Sequence, residues 1–296
     1  MNDIQEMLHD EVCNIRTGCK VNVNLYITGT LENGYHTLDS IFIPLQEPHD
    51  MMRISCGTDK DTGITVECTV EGIDVENNTL TKSYELYAKV SNYAPTIHVI
   101  LEKGVPHGAG LGGGSADAAG LLRYLNERNP DPLSHAQLLQ LASKIGADVP
   151  FFLMDGPCHA SGIGEILSPV QNTFAGMHLL LVCPSVHVNT AWAYAAWDKE
   201  QKRQFSKPST LTTQGQLGKT PFAHTSWLFN SFETVVFKTH PQLHALKEFL
   251  LREGAAGAVM SGSGSALFAL FRTESAAVQV QKKLALQGQK VYQHIL

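Results

Sequence analysis

The 296-residue chain has no C-x-x-C pair and no histidine–cysteine cluster at zinc-ligand spacing. That leaves no sequence sign of a structural zinc or a dithiol redox centre. Its six cysteines, at 13, 19, 56, 68, 158 and 183, are scattered and read as reduced thiols of a cytoplasmic protein. It also lacks a basic excess. The 22 Lys and Arg against 28 Asp and Glu give a formal charge of −6, so no broad nucleic-acid or anionic-membrane face is expected. No apolar run reaches transmembrane length, and the acidic stretch from Met1 to Glu11 reads as neither signal peptide nor membrane anchor. Fixed-period repeats and low-complexity tracts are missing as well. What remains, 43% hydrophobic and 17% charged residues, is ordinary globular composition. The length suggests two domains, which we expect at 1–158 and 159–296. Nothing in the composition speaks to oligomeric state.

Glycine is where the chain is distinctive. Val105-Pro106-His107-Gly108-Ala109-Gly110-Leu111-Gly112-Gly113-Gly114-Ser115-Ala116 holds five glycines. Before it, Ile97, Val99 and Leu101 alternate as in a half-buried strand; after it, Ala118, Leu121, Leu122 and Leu125 recur at helical spacing. Ser115 stands where an N-cap is expected. Glycines allow close backbone approach, and the free N–H groups of a helix start attract anions. The framing on both sides makes this a phosphate-binding loop rather than a linker. Gly108, Gly110 and Gly113 match the dinucleotide spacing G-x-G-x-x-G. However, Pro106 and His107 separate them from the strand, and Glu127 falls at a helix end rather than on the next strand. Gly218-Lys219-Thr220 resembles a P-loop tail, but Thr213 stands where the earlier glycine is needed and Pro221 breaks the following helix.

Around this loop, strand patterns are expected at 19–30, 39–46, 51–56, 64–70 and 178–183. Helices are expected at 79–91, 115–127, 135–145, 241–252 and 274–286. A strand–turn–strand spans 256–271, a short strand closes the chain, and the polar segment 199–221 reads as a loop or insertion. Mixed strands and helices with hairpin-like pairs indicate an α+β fold.

The chemistry-bearing residues lie in four segments. In Lys20-Val21-Asn22-Val23-Asn24-Leu25, alternation puts Lys20, Asn22 and Asn24 on one face. That face is either the wet side of an amphipathic strand or a surface for an oxygen-rich ligand. Asp148, in Gly146-Ala147-Asp148-Val149-Pro150-Phe151-Phe152, is a carboxylate among apolar residues. Pro150 biases Val149 to an extended backbone, so Asp148 is a turn residue or a functional acid. Beside a phosphate loop and a strand lysine, it fits the general base of a phosphoryl transferase. Tyr35-His36 either packs or stacks on and hydrogen-bonds a base. Ser261-Gly262-Ser263-Gly264-Ser265 is a hairpin turn or a second anion-facing nest.

Together these segments resemble the GHMP kinase superfamily over about Cys19 to Phe271. They are most similar to the branch that phosphorylates 4-diphosphocytidyl-2-C-methyl-D-erythritol in non-mevalonate isoprenoid synthesis. Lys20-Val21-Asn22, Pro106 to Ala116 and Met260 to Ser265 match superfamily motifs. Gly34-Tyr35-His36-Thr37, Gly146-Ala147-Asp148-Val149-Pro150 and Gly162-Ile163-Gly164-Glu165 point to the branch. The resemblance implies two α+β lobes with the active site in the cleft between them, an N-terminal ATP lobe and a C-terminal substrate lobe. It implies transfer of the ATP γ-phosphate to the 2-hydroxyl of a CDP-linked substrate, with Mg²⁺. Asp148 becomes the base and Lys20 its partner. Pro106, His107, Gly108, Ala109, Gly110, Leu111, Gly112, Gly113, Gly114, Ser115 and Ala116 hold ATP, with Asn78 near the adenine and Lys103 near the phosphates. Ser115 also stands near the metal. Asn22, Tyr35, His36, Thr190 and Tyr194 contact substrate, His36 bonding the cytosine and the tyrosines stacking on it. Cys19, where the family has a small residue, the extension before residue 18, and Ser231, where Asp is common, are departures. The competing readings are a superfamily kinase for mevalonate derivatives, homoserine or a sugar, and a non-catalytic nucleotide-binding relative.

Overall fold

The computed structural model describes residues 12–57, 63–70, 78–205 and 228–296. In chain order these form β1 (Cys13–Thr30), β2 (His36–Cys56), β3 (Ile64–Cys68), α1 (Thr79–Ser91), β4 (Ile97–Glu102), α2 (Gly113–Arg128) and α3 (His135–Ile145). A 3₁₀ turn (Pro150–Leu153) leads to β5 (Cys158–Ser161), β6 (Ile166–Pro169), β7 (His178–Cys183), α4 (Thr190–Phe205) and β8 (Phe229–Asn230). Then come α5 (Glu233–Thr239), α6 (Pro241–Arg252), β9 (Gly257–Met260), β10 (Leu267–Phe271), α7 (Glu274–Leu286) and β11 (Lys290–Ile295). The class is α+β, as the sequence indicates.

The chain divides into two compact units, each drawn from several segments. The first takes residues up to Lys20, Pro44–Pro106 and Gly112–Asp155; the second takes Val21–Ile43, His107–Leu111 and Gly156–Leu296. Strands β1 and β2 therefore contribute to both.

In the first unit, β4 pairs parallel with β3 and antiparallel with the Met51–Cys56 end of β2. Helices α1, α2 and α3 supply the apolar side of one core, with Tyr87, Leu121, Leu122, Leu141 and Ala142 fully buried beside Met52, Ile54 and Val99. Leu138, Leu141, Ala142 and Ile145 are buried at helical spacing along α3. Ser134 and Gln137 close a reciprocal capping box at its start. Asn78 caps α1, its Oδ1 accepting from the N–H groups of Leu80 (2.8 Å) and Thr81 (3.0 Å).

In the second unit, the antiparallel sheet runs β11-β7-β10-β9. β7 and β10 read as unbroken apolar runs because nearly every residue in them is buried. Residues 40–42 of β2 pair with β5, which pairs with β6, and Asn24 and Leu25 of β1 run parallel to β8.

Four local expectations change. The strands at 39–46 and 51–56 are parts of one strand, with Pro48 between the blocks paired to β5 and β4. There its missing N–H costs neither ladder a bond. Residues 199–205 continue α4, since Lys, Glu, Gln and Arg are good helix formers despite their polarity; the rest of the 199–221 segment, with Gly218 to Thr220, lies outside the described residues. Helix α2 starts at Gly113 with Gly112, not Ser115, as N-cap. Val149 is helical, not extended (φ −63°, ψ −42°). Its complete burial and the turn bond from its N–H to the Gly146 carbonyl (3.2 Å) override the preference imposed by Pro150.

Candidate active site

In the first unit, Lys20 and Asp148 meet. The ammonium lies 3.2 Å from Asp148 Oδ2, with the lysine side chain 5% exposed and the aspartate 32% exposed. The buried cation thus faces a carboxylate that solvent can reach. The start of α2 lies against this pair. Gly112 has φ +74°, and a Cβ there would stand 3.1 Å from the Phe152 ring and 3.3 Å from Lys20 Cγ. Glycine is therefore favoured by the backbone conformation, and the space for a Cβ is tight as well. As N-cap it offers no side-chain oxygen to the helix start, which suits the N–H groups of Gly113 and Gly114 to an anion. Ser115 lies in that first turn, its N–H bonded to the Gly112 carbonyl (3.0 Å).

Beneath the loop is an ionic cluster that sequence reading missed. The Lys103 ammonium is bonded to Asp50 Oδ2 and, at 2.8 Å, to Asp117 Oδ2. Asp50 Oδ1 accepts from the N–H groups of Gly104 (2.7 Å) and Val105 (2.8 Å), and Thr17 donates to Asp117 Oδ1 (2.6 Å). The cluster joins the end of β2, the entry to the glycine loop and the first turns of α2. Burial works against the Lys103 charge, yet its two carboxylates raise its pKa above the ordinary value. Asp117 is pushed up to about 6, first by burial and then by Asp50, with Lys103 opposing. One ammonium does not neutralise two carboxylates. Lys103, expected near the phosphates, has its charge engaged below the loop. Asn78 caps α1, and the adjacent Thr79 hydroxyl bonds the Gly114 carbonyl (3.2 Å), setting that helix start beside the loop.

The second unit gathers the other motifs. The Ser261 hydroxyl donates to the Gly110 carbonyl (3.0 Å) and accepts from the Asn22 N–H (3.2 Å), while the Ala266 N–H bonds the Ala109 carbonyl (3.1 Å). The turn 261–265 is thus the seat of loop residues 107–111. Asn230, also missed, holds that turn by donating to the carbonyls of Met260 and Gly262, both at 2.7 Å. Asn22 and Asn24 are not a wet face. Both are buried, with Asn22 donating to Ser40 (2.9 Å) and Asn24 Oδ1 accepting from the Ile41 N–H (2.7 Å). Ser231 bonds the Ile27 N–H (3.1 Å), giving the departure at that position a structural partner in β1.

His36, buried at the start of β2, bonds Asp198 of α4 through Nε2 (2.7 Å). Its ring stacks on Tyr194 with centroids 4.5 Å apart and meets Trp197 edge-on at 5.9 Å. Tyr35 is 60% exposed. The Thr190 hydroxyl pairs with Ser263 (2.8 Å). His107 and His187 are exposed and stack near the loop, centroids 6.0 Å apart. Trp197 and Asp198 carry no motif signal; their place on one helix face with Tyr194 could have suggested them had α4 been read as a helix.

The chain matches the family models for the GHMP kinases N terminal domain over residues 78–156 and the GHMP kinases C terminal over 222–290. It is 50% identical over 287 residues to a protein of Nitratidesulfovibrio vulgaris named 4-diphosphocytidyl-2-C-methyl-D-erythritol kinase, covering 97% of this chain and 100% of the relative. A protein of the same name from Lawsonia intracellularis is 46% identical over 280 residues, covering 91% and 92%. Among solved structures, a 4-(cytidine 5'-diphospho)-2C-methyl-D-erythritol kinase superposes with TM-score 0.73 at 28% identity, covering 95% of this chain and 98% of the other. A homoserine kinase from Cytophaga hutchinsonii shares the fold, with TM-score 0.68 at 19% identity and coverage of 95% and 93%. The phosphate loop, the Lys–Asp pair and these relatives agree: the chain belongs to the GHMP kinases, within the 4-diphosphocytidyl-2-C-methyl-D-erythritol kinase family.

Proposed function

We propose that the protein transfers the γ-phosphate of ATP to the 2-hydroxyl of 4-diphosphocytidyl-2-C-methyl-D-erythritol. The observation behind the chemistry is the Lys20–Asp148 contact at 3.2 Å beside the glycine that opens α2. The substrate identity comes from the named relatives at 50% and 46% identity. Asp148 accepts the hydroxyl proton as the oxygen attacks the γ-phosphorus. The bond to the β–γ bridging oxygen breaks, and ADP leaves. Lys20, 3.2 Å away, orients the carboxylate. The α2 N-terminus and loop 106–116 hold the phosphates through backbone N–H groups, which add no side-chain bulk near the reacting centre.

Mg²⁺ suits this donor set. It binds through few protein oxygens when nucleotide phosphates supply others, and no group of three acidic, histidine or cysteine side chains forms a dedicated metal cage among the described residues. Ser115 would contribute its hydroxyl, and the ion would supply charge neutralisation at the phosphates. For the substrate we propose that His36, with Tyr35 and Tyr194, reads the cytosine, and that Asn22 and Thr190 help seat the remainder. No described helix is long and apolar enough to cross a membrane, all six cysteines are free thiols, and we place the protein in the cytoplasm.

The test is ATP-dependent phosphorylation measured across the cytidyl substrate, mevalonate, homoserine and galactose. Turnover confined to the cytidyl compound is expected. Faster turnover of any other acceptor would return the chain to a different GHMP kinase activity.

A further inference from the structure

Tyr194, Trp197 and Asp198 occupy positions i, i+3 and i+4 of α4, so one helix face meets His36. That face is held at its N-terminal end. Asn189 Oδ1 accepts from the Trp192 N–H (2.9 Å), and the Thr190 hydroxyl is tied to Ser263. An ionised carboxylate can only accept a hydrogen bond. The 2.7 Å contact of Asp198 Oδ1 with His36 Nε2 therefore puts the ring hydrogen on Nε2, and in the neutral imidazole Nδ1 is then an acceptor. Among the described residues Nδ1 has no hydrogen-bond partner.

We propose that Asp198 determines base specificity by fixing the tautomer of His36, so that Nδ1 is presented as an acceptor to the 4-amino group of cytosine. This rests on the cytidyl-substrate reading above. Cytosine carries an amine donor at the position where uracil carries a carbonyl acceptor. An acceptor Nδ1 bonds the first and opposes the second with a lone pair. Without Asp198 the ring can place its hydrogen on either nitrogen, and the discrimination weakens. Stacking on Tyr194 fixes the ring plane, while the carboxylate selects which nitrogen is available. Asp198 is thus a positioning residue, acting through His36 rather than on the reacting atoms.

The experiment compares kcat/KM for the cytidyl substrate and its uridyl counterpart in the full-length wild type, Asp198→Ala and Asp198→Asn. The ¹⁵N spectrum of histidine-labelled protein is recorded at pH 8. The wild type should prefer the cytidyl compound and show His36 with hydrogen on Nε2 and an unprotonated Nδ1. Asp198→Ala should lower the cytidyl-to-uridyl ratio by about tenfold, the upper scale of one lost neutral hydrogen bond, chiefly through KM for the cytidyl substrate. KM for ATP should stay unchanged. Asp198→Asn keeps a carbonyl acceptor and should recover part of the ratio. A wild-type preference that survives in Asp198→Ala but is lost in His36→Ala overturns the role of Asp198 and leaves the substrate reading standing. No base preference in the wild type overturns the substrate reading itself. If Asp198→Ala fails to fold, the wild-type spectrum still decides, since hydrogen on Nδ1 contradicts the proposal.

Discussion

At the scale of single residues, the asymmetry between Lys20 and Asp148 is the informative feature. The lysine is almost wholly buried while a third of the aspartate side chain is open, which is how a general base must sit if a substrate hydroxyl is to reach it. Asp148→Asn keeps the shape but cannot take the proton. Turnover should fall by about 10²–10⁴-fold, with the circular-dichroism spectrum and ATP dissociation constant near wild type. Retention of a tenth of the rate would exclude Asp148 as the base. Lys20→Met removes the cation that orients it, and kcat should fall by roughly 10²-fold, the scale for removing one preorganised charge-stabilising group. Single-turnover measurements separate that loss from slower product release. Asp148 stood out in the sequence as a carboxylate among apolar residues, whereas Lys20 shared a polar face with Asn22 and Asn24 and was tied to Asp148 as its partner only through the family resemblance. The roles of Asn22 and Asn24 were not legible there. Alternation assigns residues to faces, but whether a face is wet depends on what covers it, and here Ser40 and the Ile41 backbone come from another strand.

At the scale of elements, what was readable was what is local. Helices α1, α3, α6 and α7 lie where periodicity puts them; Asn78, Ser134 and Thr273 each bond N–H groups of the first turn of α1, α3 and α7, and α6 opens on Pro241 instead. The end of helix α4, from Lys199 on, was hidden by its polarity, and the junction within β2 by a proline. The glycine loop was recognisable from composition, but its seat was not. The Gly110 backbone lies directly on the Ser261–Gly264 turn, about 150 residues later in the chain. A Cβ on Gly110, at φ +75°, would stand 2.1 Å from the Ser261 carbonyl oxygen. Gly110→Ala must therefore displace one motif from the other. We expect a loss of about 1–3 kcal/mol from backbone strain and at least a tenfold weaker ATP affinity. Gly156 has no atom within 4 Å of a built Cβ, so Gly156→Ala should stay within about 0.5 kcal/mol. Denaturant titration and nucleotide binding on both variants check the contrast. Equal effects would mean that the close approach at Gly110 has no consequence.

At the scale of the whole molecule, stability should carry the signature of the buried cluster under the loop. Asp117 has a folded-state pKa near 6, above its ordinary 3.8, because burial and Asp50 outweigh Lys103. A carboxyl raised on folding holds its proton in the native state at pH values where the unfolded chain has released it. Over that interval the native state binds more protons, so this group's contribution to stability falls as pH rises from about 4 to about 6 and is level above. Lys103 has the opposite character: its raised pKa stabilises below the ordinary lysine value and the benefit is lost as pH climbs through the folded value. Between pH 4 and 8 Lys103 contributes no slope, whereas Asp117 does. Many surface carboxylates titrate in the same range, so the raw profile of the wild type cannot isolate it. The difference between wild type and Asp117→Asn can, since an amide keeps an oxygen for the Thr17 hydroxyl and removes the titrating proton. Unfolding free energies from urea titrations at half-unit steps should give a difference, wild type minus variant, that declines from pH 4 to 6 and then flattens. A difference that rises over this interval would mean that Lys103 dominates and that Asp117 is ionised throughout. In that case Lys103 holds an ionised Asp117, and Lys103→Met should cost far more stability than Asp117→Asn. With Asp117 protonated below about pH 6, the two substitutions should differ much less there.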